Sequence, residues 1–287
     1  MTLKTLPSKE FLQPETRSEY LVDEKMKRVW AVQIDLLMEL MRVCRKHNLR
    51  IFAEGGTLLG TIRHHGYIPW DDDIDTAMFR EDYDKLVKVA PQEFAHPYFF
   101  QTIYTDRHYS RRHAQLRNSD TSCCSVKGQK KKHNQGVFID IFVLDYMPGN
   151  SKALAKHVAR ERKAKLKLKI VSKVIHALPE TLYGFCRNKT RWLSDKATFA
   201  KYETILRSIP KEKTALVTNI SFRPKETIRL KAFYDEIEWM DFEYVKIPVP
   251  VGYHQILTIQ YGDYMMPKKL NTNHGKMLFD TERIDFQ

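Results

Sequence analysis

Between residues 22 and 47, apolar side chains recur at three- and four-residue steps: Met26, Val29, Trp30, Leu37, Leu40, Met41 and Cys44. That period predicts one long helix, with Lys46 and His47 at its negative end and Asn48 as its cap. The pattern then shortens. Leu49 to Ala53 reads as a strand, Gly55-Gly56 as a turn, Thr57 to Arg63 as a short helix, and Pro69 as a break. Asp73 to Phe79 alternates faces and predicts a strand; Glu81 to Ala90 predicts a helix. Tyr98 to Tyr104 and Ala114 to Arg117 are further strands. Val137 to Leu144 (VFIDIFVL) is apolar but for one aspartate, as a buried strand would be.

Residues 151–178 place Leu154, Val158, Leu166, Ile170, Val174 and Leu178 at steps of four, predicting an amphipathic helix, and 181–208 read as helical too. Beyond Pro210 short strands return at Thr227–Leu230 and Phe242–Ile247. Pro248 and Pro250 then introduce a last helix, Gly252–Tyr261, which Gly262 stops. The elements sum to an α+β fold. We expect one domain over 1–287: a core at 22–150, a basic helical insertion at 151–210, and strands and a helix at 211–287 that complete it.

A net charge of +13 changes this picture by asking for an acidic partner: substrate phosphates, nucleic acid or an anionic membrane. Nine Lys and Arg lie between Lys152 and Lys173 against one acid, Glu161, so +8 sits on the basic helix. Such a helix suits a membrane surface or a glycolipid. Cys44, Cys123, Cys124 and Cys186 fit no zinc spacing and no disulfide framework. The opening residues lack the apolar stretch of a secretory signal, and no run of about 18 apolar residues occurs. A cytoplasmic protein, peripheral at the inner face of the membrane, is the expectation.

The chemistry concentrates in Asp71-Asp72-Asp73-Ile74-Asp75. Residues two apart on a strand share a face, so Asp73 and Asp75 point together, and Asp71 joins them if extended backbone begins there. Carboxylates so close repel, a cost that a bridging divalent cation removes. Oxygen ligands suit Mg²⁺ or Mn²⁺. Asp140, alone on its apolar strand, is the third acid, since an unpaired buried carboxylate is costly. An acid run by itself more often marks a solvated turn. Here the acids open an apolar strand, and Gly55, Gly56 and Thr57 upstream offer backbone amides to a phosphate. Arg63 and Arg117 are candidates to hold a diphosphate. His64, His65 and His274 are candidate acid/base or substrate groups; Tyr67 and Trp70 read as local packing.

These residues resemble the LicD family, the phosphocholine transferases related to fukutin-related proteins. The likeness lies in EGGTLLGTIRHHGYIPWDDDIDTAM (54–78), QLRNSDT (115–121), GVFIDIFVLDYMP (136–148) and DFEYVKIPVPVGYHQILTIQYGDYMMPK (241–268). It spans about residues 22–148 and 215–275, and is weakest over 151–210. The resemblance implies a nucleotidyltransferase-like mixed sheet flanked by helices, with Mg²⁺ or Mn²⁺ on Asp71, Asp73, Asp75 and Asp140. It implies a CDP-alcohol donor, CMP as leaving group, and a glycan or glycolipid acceptor. Two other readings stay open: nucleotidyl transfer with pyrophosphate release, and a basic nucleic-acid-binding protein, which would leave the acids without a task.

Overall fold

The computed structural model describes residues 3–125, 132–190, 192–219, 227–266 and 277–286. A hairpin of β1 (Glu15–Arg17) and β2 (Tyr20–Val22) opens the chain. Its turn residues Ser18 and Glu19 have φ of 46° and 60°, the backbone that closes a two-residue hairpin. Helix α1 (Glu24–Lys46) follows, capped by the Asp23 carboxylate, which accepts the Met26 amide at 2.8 Å. Asn48 ends it with φ 51°, the left-handed conformation of a helix stop. Val29, Trp30, Ile34, Leu36, Leu37 and Leu40 are all buried, so α1 is enclosed on most of its circumference.

Next come β3 (Phe52–Ala53), α2 (Gly55–His64), β4 (Asp75–Phe79), α3 (Arg80–Glu93), β5 (Tyr98–Gln101), β6 (Ala114–Asn118), β7 (Ser122–Ser125) and β8 (Val137–Met147). Strand β8 is buried along its whole length and is the axis of a seven-stranded mixed sheet. On one side β4 lies parallel to it, with β3 antiparallel beyond. On the other, β6 pairs with the first half of β8 and β9 (Leu216–Asn219) with the second, both antiparallel. β5 and β10 (Arg229–Leu230) flank these. Burial of both of its faces explains why β8 reads as a nearly continuous apolar run. Helices α1 and α3 pack against this strand. The result is the α+β mixed sheet with flanking helices that the sequence implies.

The chain then forms α4 (Ser151–His176), α5 (Glu180–Lys189) and α6 (Asp195–Leu206). The run expected to be helical over 181–208 forms two helices, because Ser194 starts a new one, its hydroxyl accepting the Ala197 amide at 3.2 Å. These helices hold small apolar clusters of their own: Leu168 with Phe199, Tyr202 and Leu206, and Ile175 with Tyr183 and Cys186. Buried ion pairs tie them to the sheet. Arg80 grips Asp145 at 2.7 and 2.8 Å and reaches Glu203 of α6 at 3.4 Å.

The buried face of α4 corrects the expected one. His157, Val158, Glu161, Leu168, Val171 and Ile175 face inward, while Leu166, Ile170 and Val174 are exposed. A strict four-residue repeat turns about 400° per step and so drifts about 40° around a helix of 3.6 residues per turn. The expected stripe is therefore on the inner side at Val158 and on the outer one from Leu166 to Val174, while Leu178, past the end of the helix, packs back on Ile175 and Tyr183.

A ribbon of β11 (Ile237–Phe242) and β12 (Val245–Pro250) precedes α7 (Tyr253–Tyr261), which Gly262 ends at φ 68°. Pro248 and Pro250 lie inside β12 rather than leading into the helix. Spaced two apart in a two-stranded ribbon, both turn away from β11, where no ladder N–H is needed. Finally β13 (Met277–Asp280) pairs with β7, an element the sequence reading did not anticipate. All four cysteines are free thiols. Among the described residues no helix is long and apolar enough to cross a membrane.

Candidate metal centre

Asp75 opens β4 and Asp140 lies beside it on β8, the two paired in parallel register. Asp73 sits two residues before Asp75. Oxygens of Asp73, Asp75 and Asp140 all come within 4.8 Å of one another. At an effective dielectric of about 20, each ionised pair at that distance repels by roughly 3 kcal/mol. The strain divides unevenly. Burial, reinforced by the charges of Asp73, Asp140 and Asp71, pushes the Asp75 carboxyl well above its ordinary range. Burial acts on Asp140 too, but the neighbouring His113, with Arg111 and Gln115, holds it below the usual carboxylate value. One carboxyl thus favours a proton and another stays ionised, the condition of a site short of positive charge.

The chain leaves room for this cluster. Gly55 begins α2 at φ 54°, and a Cβ there would fall 2.7 Å from Asp75 Oδ2. A Cβ on Gly56 would fall 2.7 Å from Asp71 Oδ2. The paired glycines that read as a turn are the first residues of α2, whose leading amides have no partner within the helix. The Thr57 hydroxyl accepts the Asp75 amide at 2.8 Å and fixes α2 to the start of β4. A group of three carboxylates fits a hard divalent cation, and the buried Asp75, whose carboxyl its acidic neighbours push up, is the one such a cation would relieve.

Helix α1 holds the acidic loop by its backbone. The Trp30 indole donates to the Asp71 carbonyl at 3.1 Å, and the Gln33 amide to the Asp72 carbonyl at 2.8 Å. Tyr67 stacks on Trp30 at 4.3 Å and donates to Gln33 at 2.9 Å. Tyr67 is therefore a packing residue, as expected. Trp70 meets Tyr20 edge-on, with ring centroids 6.3 Å apart. Sequence reasoning missed Gln33, which carried no signal beyond its place on the inner face of α1.

It also missed His113 and Gln115, the partners of Asp140. His113 Nε2 lies 3.1 Å from Asp140 Oδ1, and the Gln115 amide donates to the same oxygen at 2.6 Å. The register Gln115↔Asp140 between β6 and β8 makes this contact. Arg117, expected at the donor diphosphate, is 3% exposed. Its guanidinium donates to the Gln101 side chain, the Gly136 carbonyl and Gln115 Oε1. From there it orients Gln115, which in turn holds Asp140.

The other candidates divide. Asp71 lies outside the group of three and places its carboxylate beside Gly56. Arg63 is in the last turn of α2, donates to the Tyr264 carbonyl at 2.9 Å and feels the Asp71 charge. His64 is pushed down to about 4 by burial and by the charges of Arg63 and Arg17, so it is neutral at physiological pH. His274 lies outside the described residues.

Comparison with known proteins finds relatives for the part of the chain that carries these residues. Residues 48–179 match the family described as LicD/FKTN/FKRP, nucleotidyltransferase domain, a span that contains the three acids, both glycines and β6. The chain is 29% identical over 239 residues to the lipopolysaccharide cholinephosphotransferase LicD of Haemophilus influenzae, covering 82% of this chain and 89% of that protein. It is 32% identical over 143 residues to an uncharacterized protein of Rickettsia prowazekii, covering 48% of this chain and 50% of that one.

Proposed function

We propose that the chain is a phosphotransferase of the LicD type that moves a phosphoalcohol, with phosphocholine as the leading cargo, from a CDP-activated donor to a hydroxyl of a cell-surface glycan or its lipid-linked precursor. The observation that carries this reading is the convergence of Asp73, Asp75 and Asp140 beside the amides that open α2. Mg²⁺ or Mn²⁺ on these carboxylates would supply charge to balance the diphosphate and the departing CMP.

The chain's own residues do the rest. The amides of Gly55 and Gly56 lie at the positive end of α2 and bind donor phosphate oxygens. Asp140, kept ionised by His113 and Gln115, takes the proton of the acceptor hydroxyl. The freed oxygen forms a bond to the β-phosphorus, the bond from that phosphorus to the bridging oxygen breaks, and CMP leaves with the electron pair. Arg63, at the far end of α2, steadies the charge on the donor.

The experiment is CMP release from a panel of CDP-alcohols, with Mg²⁺ and with EDTA. Metal-dependent release from one donor fixes reaction and cargo together. The nucleotidyltransferase description of the matched domain favours a second reading, attack on the α-phosphorus of a nucleoside triphosphate. Pyrophosphate release without CMP release would establish that one instead.

A further inference from the structure

The outer face of the α4–α5 hairpin combines two features that have no partner inside the fold. On α4, Leu166, Ile170 and Val174 stand 59%, 54% and 46% exposed. They lie on the side roughly opposite Leu168, Val171 and Ile175, which face the interior. On α5, Leu182 and Phe185 are 51% and 60% exposed, and Trp192 beyond it is 73% exposed. The turn at 177–179 joins the two helices, so Val174 and Leu182 stand on either side of it. Few stretches of the described chain expose large apolar side chains so densely, and such clustering marks a surface that meets another phase or partner.

The charges around that stripe are of one sign. Arg162, Lys163, Lys167, Lys169 and Lys173 are all exposed. The one acid of α4, Glu161, is turned inward and accepts from Tyr202 at 3.1 Å. Glu180, at the start of α5, already meets Arg107 at 2.8 Å, Lys132 at 3.1 Å and His108 at 3.2 Å. Among the described residues of these two helices, no unpaired carboxylate offsets the basic face.

We propose that this hairpin face is a peripheral membrane-binding surface, in which Leu166, Ile170, Val174, Leu182, Phe185 and Trp192 enter the headgroup region of an anionic bilayer while the flanking lysines and Arg162 contact lipid phosphates. An apolar stripe edged by long cationic side chains matches the layering of such a surface, with acyl chains beneath and charged headgroups above. A nucleic-acid backbone would use the lysines and leave the stripe in water. The inference is independent of the reaction catalysed, because binding is read without donor or acceptor.

The test is flotation of the full chain with vesicles of phosphatidylcholine alone and of phosphatidylcholine mixed with phosphatidylglycerol. The expected result is binding to the mixed vesicles, weakened but not abolished by high salt, with a blue shift of tryptophan emission that Trp192→Phe removes. Replacing Lys163, Lys167, Lys169 and Lys173 by glutamine lowers partitioning by about a hundredfold or more. The set Leu166→Ser, Ile170→Ser and Phe185→Ser lowers it at unchanged charge, and since these side chains are exposed, the thermal melt stays as in the parent. Absence of binding to the mixed vesicles overturns the proposal. So does a serine variant that folds and binds like the parent, or tight binding to duplex DNA without binding to vesicles.

Discussion

Asp75 and Asp140 are direct neighbours across the parallel β4–β8 ladder, two acids on adjacent strands where side chains at paired positions share a face. That placement is costly without a cation and would be useful with one. Asp75→Asn replaces a buried carboxyl whose charged form its acidic neighbours disfavour, so in EDTA it raises Tm by a few degrees and lowers turnover by about 10³-fold or more. Thermal melts of parent and variant, each with EDTA and with Mn²⁺, check this. A parent that melts higher in EDTA than the variant would show that the acids are not in conflict.

Gly55 sets the approach of α2 to the same site. Its φ of 54° and the 2.7 Å that would separate an added Cβ from Asp75 Oδ2 act together. Gly55→Ala therefore costs about 1–2 kcal/mol from backbone strain and displaces the Asp75 carboxylate, lowering turnover by about a hundredfold or more. Gly56 has no left-handed backbone, so Gly56→Ala moves only Asp71 and costs less of both. Urea melts and CMP release on the two variants separate them; equal losses would show that Asp75 gains nothing from the close approach.

Much of this centre is legible in the chain before folding. The Asp73–Asp75 spacing, the apolar frame of Asp140 and the glycine pair are local patterns, and local periodicity carries them. What stays hidden is contact between distant segments. Gln115 and His113 meet Asp140 only because β6 pairs with β8 in one register, which no spacing along the chain records. The charge of Arg117 suggests a phosphate ligand, yet its three acceptors belong to the protein, on Gln101, Gly136 and Gln115. On α4 the difference has another source: the inner face carries His157 and Glu161, so polarity disguises it while an apolar stripe points outward.

The burial of Arg117 makes a prediction that its phosphate reading does not. Arg117→Lys leaves one ammonium where a planar fork served three acceptors. Stability should fall by about 2 kcal/mol, with the donor KM within about threefold of the parent and kcat reduced as Gln115 loosens. Urea denaturation alongside steady-state CMP release reads both. A large rise in KM at unchanged stability would return Arg117 to the donor.

The helical part has an acid-sensitive tie of its own. Asp195 is fully buried, pairs with Arg187 and lies 3.5 Å from His176. Burial alone would raise its carboxyl, but the His176 contact and the Arg187 charge hold it below the ordinary value. A carboxyl lowered in the folded state contributes stability above its unfolded pKa of about 3.9, and that contribution fades as pH falls toward the lowered native value. Asp195→Asn breaks a buried pair and should cost about 3 kcal/mol at pH 7. The gap between parent and variant should then narrow as pH drops from about 5 to 3. Urea melts followed by helical circular dichroism across that range measure the gap. If it stays constant as the pH falls, the ionised Asp195 is not what fastens α6 to α5.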